Sequence, residues 1–160
     1  MTRAFEIEGQ AGLARGDGGG PLHAGNGTLH HLGLVVPSIV DAAEEFAASM
    51  SAAWDGQIFH DPLQCVRVAF FSPADARNPV FELVEPADDV SPVSSFLKKS
   101  VGLHHVCYEV DDLEAVLQEA QRVGFIIISG PKPAVAFGGR RIAWVSKSRL
   151  LIEFLERQRQ

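Results

Sequence analysis

The sequence predicts an α+β fold made of two repeated βαβββ units, and two observations support this prediction. First, residues separated by 74 positions are similar over roughly fifty residues, and the same order of strand and helix patterns recurs in each half. The matched pairs include His31 and His105, Val36 and Val110, and Ile39 and Leu113. Second, the offset falls to 71 between Glu82 and Glu153, which predicts that the second copy has a hairpin three residues shorter.

The first unit is predicted to span residues 29–86. A run of β-branched and apolar residues predicts a strand from Leu29 to Val36, which Pro37 ends. Ser38 is a suitable N-cap for a helix whose apolar residues recur at helical spacing: Ile39, Ala42, Ala43, Phe46, Ala47 and Met50. Turn residues then separate three predicted strands at 54–60, 65–71 and 79–85.

The second unit is predicted to span residues 103–156 and repeats this order. A strand begins at Leu103, a helix begins at Asp112, and Gly124 ends that helix. Three strands follow near 125–129, 140–145 and 150–155. Residues 87–102 form a linker with a short helical piece, and residues 157–160 form a C-terminal tail.

Length and composition predict one compact protein without a second domain. A chain of 160 residues with 46% hydrophobic content can bury a core of ordinary size. Residues 1–28 are rich in Gly and poor in apolar residues, so we expect a flexible tail there. No stretch resembles a signal peptide or reaches the roughly 18 apolar residues of a membrane span. We therefore expect no membrane partner and a cytoplasmic location.

The net charge argues against one class of partner, and the cysteine content indicates the type of compartment. The formal net charge of −6 argues against binding to nucleic acid, which requires clustered positive charge. Cys65 and Cys107 are the two cysteines, and each falls in a predicted strand. Small buried side chains in a reducing compartment account for them better than a disulfide does.

One His and one Glu from each unit form the candidate site: His31, Glu82, His105 and Glu153. Each lies in an apolar strand, where an unpaired carboxylate costs several kcal/mol or becomes protonated. Taken singly, each His is better explained as a hydrogen-bonded core residue, and an exposed face is an alternative explanation for each Glu. The matched positions in the repeat favour a divalent cation, and this set of nitrogen and oxygen ligands suits Zn, Ni, Co, Mn or Fe.

Four motifs then carry a family resemblance. They are LHHLGLVVP at 29–37, FELVEP at 81–86, SPVSSFL at 91–97 and GLHHVCYEVDD at 102–112. With these motifs, residues 29–156 resemble the vicinal oxygen chelate superfamily, which includes glyoxalase I, extradiol dioxygenases, bleomycin-resistance proteins and methylmalonyl-CoA epimerases. The epimerase-like branch is the most similar.

The resemblance implies a cup-shaped, strongly curved mixed sheet with the metal at its centre. It also implies a homodimer, and it gives the same four ligands that the repeat does. Whether the two units pair within one chain or between chains stays open. Because side chains alternate along a strand, we expect His30 and His104 to point to the face opposite the ligands and to help pack or orient neighbouring residues rather than bind the metal.

Such a site predicts an enzyme that removes and returns the α-proton of an acyl thioester of the methylmalonyl-CoA kind, through a metal-stabilised enolate. Glu153 is the preferred base, and Glu82 is a weaker partner. Two alternatives stay open: a glyoxalase I-type lyase acting on a glutathione hemithioacetal, and a non-catalytic protein that binds a small ligand. The divalent metal is expected to be Co, Mn, Ni or Zn.

The chain departs from the epimerase pattern at 137–150, where the usual His-Pro-Lys stretch is missing. The wall of the substrate pocket is therefore expected to differ. Lys132, just before this stretch, and Arg140 and Arg141 within it are candidates to anchor a carboxylate or phosphate. The run of basic residues that contains them is explained somewhat better by an exposed strand edge, where Lys and Arg prevent pairing with other chains. Alternation allows only one of the two Arg side chains to face the cup.

Overall fold

The computed structural model describes residues 20–99 and 102–158. Its strands are β1 (Thr28–Val35), β2 (Ala52–Trp54), β3 (Phe59–Asp61), β4 (Val66–Pro73), β5 (Val80–Pro86), β6 (Gly102–Val110), β7 (Ile126–Pro133), β8 (Arg141–Lys147) and β9 (Leu150–Glu156). Its helices are α1 (Pro21–Ala24), α2 (Ile39–Met50), α3 (Pro92–Leu97) and α4 (Leu113–Arg122), with a 3₁₀ turn at Val135–Phe137. The strands form one sheet in the order β2-β4-β5-β1-β6-β9-β8-β7, and β3 also pairs with β4.

The pairing of the strands confirms the internal repeat and the α+β class. β1 pairs with β5 in parallel, and β6 pairs with β9 in the same way. Antiparallel pairing of β1 with β6 joins the two units within this chain. Phe70 lies opposite Glu82, and Trp144, which is 74 residues after Phe70, lies opposite Glu153. The paired residues are three positions closer in the second unit, as the change of offset predicts.

Two helices cover one face of the curved sheet. The Ser38 side chain caps α2 by accepting a hydrogen bond from the backbone N–H of Asp41, and Asp112 caps α4 in the same way. Apolar residues of both helices pack against the sheet in two clusters, which include Ile39, Ala43, Phe71, Phe81 and Leu83 on one side and Leu113, Val116, Ala120, Val145 and Phe154 on the other. Because side chains alternate along β5, Glu82 points away from these clusters, to the concave face. None of the described helices combines the length and the apolar composition that crossing a membrane requires.

The strand predicted at 54–60 is divided into β2 and β3. A turn separates them, in which the Trp54 indole N–H donates to the Gln57 carbonyl and the Gln57 backbone N–H donates to the Asp55 carboxylate. Gly56 adopts a φ of +83° in this turn, a conformation that other residues rarely adopt. Apolar composition alone did not reveal this turn.

The last part of the predicted N-terminal tail is folded. Residues 20–28 pack on the second unit, and Leu22 contacts the hydrophobic cluster under α4. The Gly25 carbonyl accepts a hydrogen bond from Asp111 N–H, and the Asn26 side chain donates to the Asp111 carboxylate. These bonds attach the segment to the end of β6. The rest of the predicted tail, residues 1–19, lies outside the described residues.

Candidate metal centre

The four predicted ligands come together on the concave face of the sheet. His31 lies on β1 and His105 on β6, the two strands that join the units. Glu82 lies on the neighbouring β5 and Glu153 on β9. In the parallel pairing, Glu82 lies opposite Gly33, two residues after His31. In the same way, Glu153 lies opposite Cys107, two residues after His105. The repeat therefore places one His–Glu pair on each side of the β1–β6 junction.

The donor atoms of these side chains lie close together. The Nε2 atoms of His31 and His105 are 3.1 Å apart. Glu82 Oε2 lies 3.4 Å from His31 Nε2 and 3.3 Å from His105 Nε2. Glu153 Oε2 lies 3.3 Å and 3.8 Å from the same two atoms. No ligand is more than 5% exposed, and the donor atoms of His31, His105 and Glu153 all lie within 4.8 Å of one another.

This arrangement fits a bound divalent cation. Ligands held about 2.0–2.1 Å from one ion lie roughly 3.0–3.4 Å from their neighbours. The contacts of His31 Nε2 with His105, Glu82 and Glu153, at 3.1–3.4 Å, match that spacing. Glu153 Oε2 is buried and has no well-aligned hydrogen-bond donor, although His31 Nε2 lies 3.3 Å away, so its charge needs a nearby cation. A bound metal ion would account for both the spacing of the donor atoms and the buried carboxylate oxygen of Glu153.

The pKa shifts show how strongly the ligands interact. Burial lowers the pKa of His31, but the carboxylates of Glu82 and Glu153 outweigh burial and raise it to about 10. Burial alone would raise the pKa of Glu82, yet His31 and His105 hold it well below its usual range. In the metal-free site a proton on His31 therefore offsets carboxylate charge. A cation that binds there must displace this proton.

A cavity of about 420 Å³ opens beside the ligands, and Glu82, His105 and Glu153 line it. Its other walls are mostly apolar and include Val66, Val68, Val84, Ile128, Ala134, Phe137, Trp144 and Leu151. A cavity of this size suits a small organic ligand. The arrangement is that of a metal centre at one end of a pocket for a small, mostly apolar group.

Two charged residues of the cavity wall, Lys132 and Asp61, differ in whether other groups of the protein already bind them. Lys132 is the one Lys or Arg among the described lining residues, and within the described part of the chain no carboxylate pairs with it. Asp61, in contrast, accepts hydrogen bonds from the backbone N–H groups of Leu63, Gln64 and Val135. Asp61 therefore links β3 to the 3₁₀ turn. An Asp before Pro is typical of such turns, but the sequence alone does not reveal the contact between Asp61 and Val135.

The structure separates Arg140 and Arg141 from this cavity. Arg140 donates to the Glu109 carboxylate at 2.6 Å and lies over the Phe137 ring. Arg141 donates to the carboxylates of Glu114 and Glu156. Neither of these two candidate anchors lines the cavity, because acids of β6, α4 and β9 pair with both guanidinium groups. Lys132 is the candidate anchor that does reach the cavity.

The expectation that His30 and His104 point to the face opposite the ligands is wrong. The pairing between β1 and β6 skips His30 on β1 and His104 on β6, so each is the extra residue of a β-bulge. A bulge changes the alternation of side chains, and each ring turns onto the neighbouring ligand. His104 also lines the cavity. Periodicity alone could not reveal these bulges.

Comparison with known proteins shows the family to which the chain belongs. The model of the Glyoxalase/Bleomycin resistance protein/Dioxygenase superfamily matches residues 30–144. The chain belongs to this superfamily, whose members generally use a divalent metal.

The chain is also similar to named epimerases, as the motifs predict. It is 28% identical over 121 residues to an ethylmalonyl-CoA/methylmalonyl-CoA epimerase of Cereibacter sphaeroides, covering 74% of this chain and 87% of that protein. It is 30% identical over 130 residues to the mitochondrial methylmalonyl-CoA epimerase of Bos taurus, covering 80% of this chain and 71% of that one. The crystal structure of methylmalonyl-CoA epimerase from Mycobacterium tuberculosis has the same fold, with a TM-score of 0.71, 22% identity, and coverage of 85% of this chain and 91% of that one.

Proposed function

We propose that this protein is a divalent-metal-dependent epimerase that removes and returns the α-proton of an acyl thioester of the methylmalonyl-CoA kind. The observation that carries the proposal is the convergence of buried nitrogen and oxygen donors at one end of a largely apolar cavity. The named activities of the Cereibacter sphaeroides and Bos taurus relatives support this substrate class.

His31, Glu82, His105 and Glu153 would hold the metal. Two imidazoles and two carboxylates suit Co, Mn, Ni or Zn. A divalent cation bound there supplies a Lewis acid that stabilises negative charge on the thioester oxygen.

Glu153 is the proposed base. It lines the cavity, and its Oε2 lies 3.3 Å from His31 Nε2 but 3.8 Å from His105 Nε2, so it contacts only one of the two imidazoles closely. Glu82 Oε2 lies against both imidazoles and is held more firmly. We assign removal of the α-proton to Glu153, and its return to the opposite face of the carbon to Glu82.

One observation favours a second candidate, a glyoxalase I-type lyase. Among the described residues of the cavity wall, the carboxylate outside the metal cluster is Asp61, and three backbone N–H groups already bind it. An epimerase must return the proton to the face of the carbon opposite the one it left, whereas a proton shift between adjacent carbons can take place on one face through a single carboxylate. Stereochemistry therefore distinguishes the two activities.

Lys132 is the proposed anchor for an anionic group of the substrate. Its ammonium group is free of carboxylates in the described part of the chain, and it shares the cavity with the metal ligands. A substrate carboxylate or a phosphate of the acyl carrier would each pair with it.

A homodimer and a cytoplasmic location complete the proposal. The superfamily resemblance supports the dimer. The free thiols of Cys65 and Cys107 are consistent with a reducing compartment such as the cytoplasm.

Proton exchange at C2 of methylmalonyl-CoA tests the function. Metal-stripped protein and protein reloaded with Co²⁺ or Mn²⁺ are incubated in heavy water with a single epimer, and both deuterium incorporation and inversion are measured. Metal-dependent exchange with inversion supports the epimerase. Exchange with retention supports the lyase, which is then assayed with a hemithioacetal. A stoichiometrically loaded protein that exchanges no proton would contradict the proposed substrate.

A further inference from the structure

Each proposed metal ligand on the central strands is preceded by a second His whose ring contacts it. The Nδ1 atoms of His30 and His31 are 2.9 Å apart, and those of His104 and His105 are 3.0 Å apart. The two rings of each pair lie nearly perpendicular, at 78° and 85°. The same contact is thus built twice, once in each unit.

We propose that His30 and His104 are positioning residues that accept a hydrogen bond from Nδ1–H of His31 and His105 and so keep both Nε2 atoms ready to bind the metal. This inference rests on the proposed function, because it assumes that the Nε2 atoms bind a cation. It goes beyond that function by assigning a role to two residues outside the ligand set.

The chemistry of imidazole supports this assignment. A neutral ring carries one proton, on either Nδ1 or Nε2, and only a nitrogen without a proton has a lone pair for a metal. A contact between two Nδ1 atoms needs one donor and one acceptor. If the neutral rings of His31 and His105 donate, their Nε2 atoms carry no proton and can bind the cation. If they accept, their protons lie on Nε2 and block it.

Packing holds the accepting rings in place. His30 lies edge-on to Phe137, with ring centroids 5.6 Å apart. His104 lies edge-on to Phe96 at 5.0 Å and near Trp144 at 6.3 Å. The two bulges turn these rings onto the ligands, and bulges beside functional sites commonly redirect a side chain in this way. Partners that bind the second nitrogen of a ligating His fix its tautomer and ring orientation.

The test uses single variants of the full-length protein and two readouts besides activity. His30→Phe and His104→Phe keep a ring but remove the acceptor, whereas His30→Asn and His104→Asn restore an acceptor near the same place. His60→Phe is the control, because His60 is exposed on β3 and outside the cavity lining. Affinity for Co²⁺ is measured by competition with a chelator. In the Zn²⁺-loaded wild type, ¹⁵N NMR shows which ring nitrogens carry protons.

We expect each Phe variant to weaken Co²⁺ binding by about 10- to 100-fold, each Asn variant to recover part of that loss, and the control to match wild type. NMR should place the protons of His31 and His105 on Nδ1. Phe variants that bind Co²⁺ like wild type, or protons found on Nδ1 of His30 and His104, would overturn the inference and leave the proposed function intact. A wild-type protein that binds neither Co²⁺ nor Zn²⁺ would overturn both. The NMR measurement needs no variant, so a variant that fails to fold does not prevent a decision.

Discussion

Gly33 packs directly against the imidazole of His105. A Cβ atom added to Gly33 would lie 1.9 Å from His105 Cε1 and 2.3–2.4 Å from both ring nitrogens, distances that real Cβ atoms essentially never show. The two residues are paired across β1 and β6, so neither can move without disturbing the central pair of strands. Only Gly at this position leaves room for the ring, and Gly33 therefore determines where His105 Nε2 lies.

The first prediction follows from this contact. Gly33→Ala should displace the His105 ring and weaken Co²⁺ binding by about 10-fold or more, because one ligand no longer reaches the ion. Visible absorption during a Co²⁺ titration measures the affinity. Gly130→Ala is the matched control, since an added Cβ there meets nothing within 4 Å. Equal affinities for the two variants would contradict the role of Gly33.

The second prediction concerns proton transfer. Glu153→Gln removes the proposed base and should slow exchange at C2 by at least about 100-fold, in line with the usual contribution of a general base. Deuterium incorporation is compared at saturating metal, so that weaker metal binding does not limit the rate. Glu44→Gln, at an exposed site on α2, should exchange like wild type. Exchange that survives in Glu153→Gln at full metal occupancy would assign the base to another group.

The third prediction concerns the substrate anchor. Lys132→Met should raise KM by about 10-fold or more with a smaller effect on kcat, because a charge-assisted hydrogen bond to the substrate is lost. Lys132→Arg should keep most of the affinity, and Lys99→Met, on the exposed surface, serves as control. Repeating the assay with methylmalonyl-pantetheine identifies the anion. If KM still rises, the anchor binds the carboxylate, and if the effect disappears, it binds a nucleotide phosphate. An unchanged KM for both substrates argues against any anchoring role.

The fourth prediction concerns pH. The pKa of His31 is raised from 6.5 to about 10 in the metal-free protein, so His31 carries a proton at pH 8. Metal binding needs the lone pair on Nε2, and uptake should therefore release about one proton per ion at pH 8. The release should fall as the pH rises through 10, because the proton is then already lost. Calorimetry in two buffers with different ionisation enthalpies counts the protons, and no release at pH 8 would contradict the assignment.

The same shift affects the stability of the metal-free protein. A His whose folded pKa exceeds its unfolded value stabilises the fold fully below about pH 6.5 and loses that contribution as the pH rises. Metal-free protein should therefore show a falling Tm between pH 7 and pH 10. Metal-loaded protein should show a smaller fall, because the cation replaces the proton. Parallel Tm profiles for the two forms would count against competition between proton and metal at His31.

The sequence was sufficient for the repeat, the order of elements and the four converging side chains, because these depend on periodicity and on matched polar residues in apolar strands. The positions of His30 and His104 were not predictable in this way. A single inserted residue in each central strand reverses the alternation locally, and no composition signal marks a bulge. The sequence also does not show that residue 33 must be Gly, because this requirement comes from the His105 ring, which belongs to the other unit.

Long-range ion pairs account for the remaining differences. Arg140 and Arg141 were equally suited to a substrate anion or to an acid of the protein, and the sequence does not show which acid lies nearby. Glu109 is 31 positions from Arg140, and Glu114 is 27 from Arg141. Only the folded sheet brings these residues together. Lys132 has no such partner in the described residues, which is why it remains the candidate for substrate binding.

The most direct test of the central claim is a crystal structure of Co²⁺-loaded protein, with anomalous diffraction measured on both sides of the cobalt absorption edge. We expect a single strong anomalous peak in each chain, bound by Nε2 of His31 and His105 and by the carboxylates of Glu82 and Glu153. A peak bound by other residues, or fully loaded crystals with no peak among these four side chains, would contradict the assignment of the metal centre.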